Sequence, residues 1–346
     1  MFPFLGGAIS MSQTSLLRRL FTLVRRRGLR AAGKLVGPPS SPPPTDYAPL
    51  PPIAGLASLV PAREGSVLCA SPAGLHHMRY VEWGDLDNPR VLICVHGLTR
   101  NARDFDFIAR ALAKDYRVVC PDVVGRGRSD WLRDKALYAI PQYVSDMVTL
   151  IARLGVEQVD WIGTSMGGLI GMTLAAQQGS PIRRLVLNDV GPLLAASALQ
   201  RIATYVGRHH HFSTLAAAEV HIRKVHAPFG LLTDEQWQHL TRWSVKPAPE
   251  SEGGGFVYHY DSGIGDVFRG APMLMDVNLW PIFEQIACPV LALRGGDSDL
   301  ITHATLEEMT RRGPKAQIIE FPGIGHAPTL MSDAQITPVR DFLAAP

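Results

Sequence analysis

The 346-residue sequence lacks the features that define several large classes of protein. It has only four cysteines, at positions 69, 94, 120 and 288, and no CxxC pair. This spacing disfavours a disulfide framework or a metal site, and it predicts buried, reduced thiols at Cys94 and Cys120, which fall in strand-like runs. The histidine cluster at 209–211 lacks the i, i+4 spacing of a zinc pair. The sequence also contains no P-loop and no GxGxxG dinucleotide fingerprint.

Acidic residues are absent from residues 1–45, which contain seven basic ones. No apolar run in this segment approaches the 18 residues or so that a membrane span needs. Its composition is typical of a targeting or surface helix, able to contact an anionic membrane weakly, and equally of a disordered tail. A proline-rich linker is predicted at residues 46–64. We expect a cytoplasmic protein, with an N-terminal targeting segment as the alternative.

The rest of the chain shows no excess of positive charge. Outside the tail, the chain has 27 basic and 31 acidic residues, which gives a formal net charge of −4. No basic stripe of the kind that binds nucleic acid is present, so no nucleic-acid partner is predicted. A content of 46% hydrophobic and 19% charged residues is that of a globular protein.

Strand-like and helical patterns alternate from about residue 65. Near-continuous apolar runs such as "RVLICVHG" are typical of parallel strands covered on both faces. The alternation predicts an α/β fold with a mostly parallel sheet, formed by residues 65–190 and 288–346. Residues 191–287 show helical patterns without a buried strand. We interpret them as a cap over the carboxyl edge of the sheet, where such folds bind ligands, or alternatively as a purely structural subdomain.

The stretch "VDWIGTSMGGLIGM" at residues 159–172 joins a buried strand to a helix through a serine. Gly163 and Gly167 permit a sharp turn that lifts the Ser165 hydroxyl above the sheet. A serine hydroxyl is a poor nucleophile at neutral pH, so it needs a base and a group that orients the base. His326, in the glycine-containing loop "FPGIGHAP" after the last strand, is the predicted base.

Three aspartates compete for the role of the orienting acid. Asp299 and Asp297 both lie in "GGDSDLIT", after the penultimate strand, and Asp189 ends the strand "LVLNDV". The loop must turn away from its strand before a carboxylate can reach back to the imidazole, which favours Asp299. Asp297 and Asp189 remain the alternatives.

Charge that develops on an attacked carbonyl oxygen requires hydrogen-bond donors. We expect the backbone N–H of Met166, which follows the serine, and that of Leu98, in the loop "HGLTRN". His96 and Gly97 begin this loop. Because His96 stands at the strand end, it is predicted to hold the loop by hydrogen bonding rather than to act as a base.

The motifs "HGLTRN", "PDVVGRGRSD", "GTSMGG" and "GHAP" occur in an order that resembles the α/β-hydrolase superfamily over about residues 65–345. The resemblance implies an eight-stranded, mostly parallel sheet flanked by helices, a helical cap after strand 6 and no cofactor. It assigns the nucleophile to Ser165, the acid to Asp299, the base to His326 and the oxyanion donors to Leu98 and Met166. The serine disfavours the relatives that use aspartate as nucleophile, namely epoxide hydrolases and haloalkane dehalogenases.

The expected activity is hydrolysis of a small or medium carboxylic ester through an acyl-enzyme. Lactonases, thioesterases, polyester-oligomer hydrolases and carbon–carbon bond hydrolases use the same triad and remain alternatives. A carbon–carbon hydrolase would need a cation in its pocket, for which Arg100 or Arg103 is available. An inactive binding protein of the same fold is a further alternative. The oligomeric state is not predicted.

Overall fold

The computed structural model describes residues 59–269 and 275–345. The predicted tail at 1–45, most of the linker at 46–64 and residues 270–274 of the predicted cap lie outside the described residues. The first described strand begins at Arg63, so the boundary predicted at residue 65 falls inside that strand.

An eight-stranded sheet forms the centre of the described chain, as predicted. Its strands are β1 (Arg63–Ser71), β2 (Gly74–Trp83), β3 (Val91–Val95), β4 (Arg117–Pro121), β5 (Val159–Thr164), β6 (Ile182–Asn188), β12 (Val290–Gly295) and β13 (Gln317–Phe321). They lie in the order β1-β2-β4-β3-β5-β6-β12-β13. The β1–β2 and β2–β4 pairs are antiparallel, and the strands from β4 to β13 run parallel.

The apolar runs of the central strands have partners on both faces of the sheet. Along β3, Ile93 and Val95 belong to one buried apolar cluster, whereas Leu92 and Cys94 belong to the other. Side chains alternate between the faces of a strand, so two covered faces require apolar residues at every position. This arrangement explains why the sequence of β3 is continuously apolar rather than alternating between apolar and polar residues.

Ten α-helices are assigned in the described ranges. They are α1 (Asp106–Leu112), α2 (Ile140–Leu154), α3 (Met166–Ala175), α4 (Ala196–Ala203), α5 (Leu215–Val225), α6 (Asp234–Ser244), α7 (Asp266–Arg269), α8 (Trp280–Phe283), α9 (His303–Met309) and α10 (Asp333–Ala344). The bounds of α2 coincide with residues that favour helix ends, since Pro141 lies in its first turn and Gly155 adopts the left-handed conformation (φ 70°) at its end. None of the helices in these ranges has the length and apolar character that a bilayer crossing requires.

The segment between β6 and β12 contains α4 to α8, but it is not purely helical. It also contains five strands of two or three residues: β7 (Leu193–Leu194), β8 (His211–Phe212), β9 (Val245–Pro247), β10 (Phe256–Tyr258) and β11 (Val277–Asn278). They form a three-stranded sheet, β8-β10-β9, and a separate β7–β11 pair. Strands this short cannot display an alternating pattern, so the sequence predicted helices alone.

The four cysteines all lie in the described residues and are free thiols, as predicted. Cys69, Cys94 and Cys120 are buried, and Cys288 is half-buried.

Candidate active site

Ser165 occupies a strained turn between β5 and α3. Its backbone has φ 50° and ψ −115°, a conformation that side-chain-bearing residues rarely adopt. Its N–H donates to the carbonyl of Asn188, at the end of the neighbouring strand β6, at 2.9 Å. The turn is therefore held at the carboxyl edge of the sheet and places the serine side chain above that edge.

The glycines around Ser165 are required by close backbone approach. A Cβ on Gly163 would lie 2.3 Å from the carbonyl oxygen of Gly167, and one on Gly167 would lie 1.9 Å from that of Val95. These distances are far below van der Waals contact, so any side chain would force α3 away from β5 and β3. The two glycines act by letting the helix start directly over the strand ends.

Ser165, His326 and Asp189 form a continuous chain of hydrogen bonds. The Nε2 atom of His326 lies 3.0 Å from the Oγ atom of Ser165. The Nδ1 atom of the same ring lies 2.6 Å from Oδ2 of Asp189. Because an ionised carboxylate can only accept, Nδ1 donates to Asp189, which leaves Nε2 free to accept the serine proton. The geometry suits removal of a proton from Ser165.

Asp189 is held rigidly at the end of β6. Its side chain is fully buried, and its backbone is in the left-handed region with φ 55°. The Oδ1 atom accepts the N–H of Gly295 at 2.8 Å, and Oδ2 accepts the hydroxyl of Ser298 at 2.6 Å. Both donors come from the end of β12 and the loop after it. This loop therefore orients the carboxylate but does not supply it.

The assignment of Asp299 as the partner of His326 is wrong in this structure, and so is the alternative Asp297. Asp299 points to the cap, where it accepts two hydrogen bonds from Arg201, at 2.5 and 2.7 Å. Partial burial alone would raise the pKa of Asp299, but the bonds from Arg201 hold it below its ordinary value. Asp297 is exposed. The loop turns at Ser298. The group of this loop that lies next to the Asp189–His326 pair is therefore the Ser298 hydroxyl, which donates to Asp189.

Leu98 and Met166 lie on the other side of Ser165, and all three line the same pocket. His96 fixes the loop that contains Leu98. Its Nδ1 atom donates to the carbonyl of Gly97 at 2.8 Å, and its Nε2 atom accepts the N–H of Val123 at 2.9 Å. Burial lowers the pKa of His96 to about 3, so the ring is neutral, as this donor–acceptor pattern requires.

Arg126, from the motif "PDVVGRGRSD", lies next to Leu98 and Met166, and the sequence did not reveal its place in the site. Its guanidinium is fully buried. It donates to the carbonyl of Leu98 at 2.8 Å and to the hydroxyl of Tyr143 at 2.9 Å, and it reaches the sulfur of Met166 at 3.5 Å. One cation thus touches both residues that are expected to supply oxyanion donors. An arginine between two glycines of a buried loop was the available signal.

The pocket beside Ser165 has a volume of about 200 Å³ and an almost entirely apolar lining. The cap contributes Leu199, Ile202 and Phe268, among others, and no charged side chain of the described residues lines the pocket. Part of the cap segment "YHYDSGIGDVFRG" therefore faces the pocket, through Ile264, Val267 and Phe268. Such a site suits a short apolar or weakly polar acyl group.

Arg100 and Arg103 do not face this pocket. Arg100 forms an ion pair with Asp104 at 2.6 Å and donates to the Ser244 hydroxyl, in the cap. Arg103 forms an ion pair with Asp106 at 2.5 Å. The cation that a carbon–carbon bond hydrolase would need is therefore not supplied by either arginine.

Among the described residues, Cys69, His76 and Asp146 bring three potential metal-ligand atoms within 4.8 Å of one another. The group lies on β1, β2 and α2, away from the strand ends that hold Ser165. His76 and Gln142 already bond the two oxygens of Asp146, at 3.0 and 2.8 Å. Burial, and then Asp146, raise the pKa of the Cys69 thiol to about 12. The group is a hydrogen-bond network centred on Asp146, with a protonated thiol at Cys69.

Comparison with known proteins agrees with this architecture. A family model described as alpha/beta hydrolase fold matches residues 90–330. A 3-hydroxybutyrate-oligomer hydrolase from Cupriavidus necator is 52% identical over 284 residues, which is 81% of this chain and 97% of the relative. The esterase Rv0045c from Mycobacterium tuberculosis is 30% identical over 241 residues, 67% of this chain and 74% of the relative. The crystal structure of an alpha/beta hydrolase from Novosphingobium aromaticivorans superposes with a TM-score of 0.71 at 37% identity, covering 82% of this chain and 98% of that one.

Proposed function

The chain belongs to the α/β-hydrolase family and is an ester hydrolase; we propose that it cleaves short oligomers of 3-hydroxybutyrate, or closely related 3-hydroxyacids, with Ser165 as nucleophile. The observation that carries this proposal is the hydrogen-bonded chain Ser165–His326–Asp189 beside a small apolar pocket. The substrate class comes from the Cupriavidus necator relative.

In the proposed mechanism, the Ser165 oxygen attacks the ester carbonyl while Nε2 of His326 takes the hydroxyl proton. Asp189 stabilises the imidazolium that results. The negative oxygen of the tetrahedral intermediate accepts the N–H groups of Leu98 and Met166. Collapse of the intermediate breaks the ester C–O bond, and His326 returns the proton to the departing alcohol. Water then repeats the sequence on the acyl-enzyme and releases the acid.

Arg126 is a positioning residue in this scheme. By bonding the Leu98 carbonyl and contacting Met166, it holds the two donor-bearing segments at a fixed separation. Its buried positive charge also lies on the side where the oxyanion forms, and in a low-dielectric interior such a charge acts strongly.

The pocket dictates how an oligomer would bind. Its apolar lining suits the short acyl unit, and the absence of charged lining residues in the described chain keeps the terminal carboxylate of the oligomer out. We therefore expect the acyl unit to enter the pocket and the carboxylate end to belong to the leaving alcohol. The pocket volume of about 200 Å³ also predicts a preference for short acyl groups.

The experiment that tests this function is hydrolysis of the 3-hydroxybutyrate trimer, measured as release of monomer and dimer. Ser165→Ala is expected to lower kcat/KM by at least about 10⁴-fold, because the acyl-enzyme cannot form. A panel with a lactone, an acyl thioester and a dienoic diketo acid separates the alternative hydrolases. A serine-reactive phosphonate separates all of them from an inactive binding protein, which would not label. Activity that survives in Ser165→Ala would overturn the proposal.

A further inference from the structure

A second cavity, of about 370 Å³, lies apart from the pocket at Ser165. Strands β1 and β2, the loop after β4 and the cap enclose it, and the two cavities have no lining residue in common. Its size falls in the range of small-molecule sites. Ser66, Arg79 and Trp243 are among its lining residues.

The lining includes Nε of Arg79 and Oγ of Ser66, two buried atoms that have no hydrogen-bond partner among the described residues. Buried donors are almost always satisfied, because an unmade hydrogen bond costs free energy. Because Nε of Arg79 and Oγ of Ser66 line one cavity, a single polar ligand there would satisfy both atoms.

The other charges around the cavity already have partners. Arg128 pairs with Glu64, and Arg103 pairs with Asp106. The Asp122 carboxylate accepts the backbone N–H groups of Ala102 and Arg128, at 2.8 and 2.9 Å. In contrast, no carboxylate among the described residues lies within ion-pair distance of the Arg79 guanidinium. The uncompensated charge in the lining is therefore positive.

We propose that this cavity is a second ligand site, which binds a small organic carboxylate through Arg79 and the Ser66 hydroxyl. A carboxylate supplies what the two orphaned donors need, a negative charge and several acceptor lone pairs. The indole of Trp243, which stacks on Arg103 with 3.9 Å between the guanidinium carbon and the ring centre, provides an apolar wall for the carbon skeleton.

The test uses the full chain, first treated with a serine-reactive phosphonate so that the pocket at Ser165 is occupied. Calorimetric titration with 3-hydroxybutyrate, at constant ionic strength, is expected to reveal one saturable site. Inorganic phosphate is titrated in a parallel arm. Failure of the phosphonate to label would count against the proposed function alone, since the titrations can be run on unlabelled protein and judged by their dependence on Arg79.

Arg79→Gln is expected to weaken carboxylate binding at least about tenfold, because a charge-assisted bond is lost. Arg79→Lys, which keeps the charge, should retain most of the affinity, and Ser66→Ala should cost about threefold. Arg153→Gln, at an exposed arginine on α2, is the matched control and should change nothing. Thermal unfolding of each variant verifies that it is folded.

Three results would overturn the proposal. They are no saturable binding of the carboxylate, equal binding by wild type and Arg79→Gln, and binding of phosphate alone. Arg79-dependent binding of the carboxylate, stronger than that of phosphate, would establish the site.

Discussion

Two buried networks of opposite charge flank Ser165, and they differ in what they support. On the imidazole side, the buried carboxylate of Asp189 bonds His326, Ser298 and the backbone of Gly295. On the oxyanion side, the buried guanidinium of Arg126 bonds Leu98 and Tyr143. The first network ends in a negative charge and the second in a positive one.

The difference matches the charges that ester hydrolysis creates. In the proposed mechanism, an imidazolium forms beside Asp189 and an oxyanion forms on the side of Arg126, so each fixed charge faces a developing charge of opposite sign. Preorganised charges in a dry site stabilise a transition state without reorganisation at the moment of reaction. The carboxylate touches the reacting histidine directly, whereas the arginine acts through a loop. The two contributions should therefore differ in size.

Removing the charge of Asp189 should have the larger effect. Asp189→Asn is expected to lower kcat by about 10³- to 10⁴-fold, because the amide can donate to Nδ1 and hold the imidazole in the wrong tautomer. The measurement is trimer hydrolysis under saturating substrate. A loss below about tenfold would show that another carboxylate orients His326.

Removing the charge of Arg126 should have a smaller effect, of about 10²-fold on kcat with little change in KM. Arg126→Met keeps the length of the side chain but removes the donors to Leu98 and Tyr143. The rate of phosphonate labelling at Ser165 should fall in parallel, because labelling also develops an oxyanion. Arg126→Lys, which keeps a positive charge, should recover part of both rates. If Arg126→Met lowers only the melting temperature, the residue is structural.

Ser298→Ala probes the support of Asp189 rather than its charge. The variant removes the hydroxyl bond of 2.6 Å but leaves the N–H of Gly295 in place. The expected loss is about three- to tenfold in kcat, the effect of one hydrogen bond. A loss as large as that of Asp189→Asn would mean that Ser298, and not the aspartate alone, holds the imidazole.

The sheet and most of its helices could be predicted because their signals are local. Continuous apolar runs identified strands covered on both faces, and Pro141 and Gly155 bounded α2 correctly. The strand-to-helix pattern around Ser165 is equally local. The short strands of the cap were missed because two or three residues carry no periodicity.

The acid of the site could not be identified from the sequence. Asp189 and Asp299 both follow parallel strands at the same edge of the sheet, so chain order and edge position fit both. The choice between them depends on where one loop turns, and that turn places Ser298 inward and Asp299 toward Arg201. Arg126 escaped notice for a related reason, since its partners Leu98 and Tyr143 are distant in sequence.

The smallest effect on kcat is expected at Asp299, the residue that the sequence favoured as the catalytic acid. Asp299 and Arg201 are both about half exposed, at 49% and 44%, and an exposed ion pair contributes at most about 1 kcal/mol to stability. Asp299→Asn and Arg201→Gln should therefore leave kcat within about twofold and should lower the free energy of unfolding by less than about 1 kcal/mol, and by still less in high salt. Trimer hydrolysis and urea unfolding measure the two quantities.

Because Asp299→Asn makes the same chemical change as Asp189→Asn in the neighbouring loop, the pair forms a matched comparison. A fall in kcat of about 10³-fold in Asp299→Asn, with kcat nearly unchanged in Asp189→Asn, would reverse the assignment. The acid that orients His326 would then be Asp299, in the loop after β12.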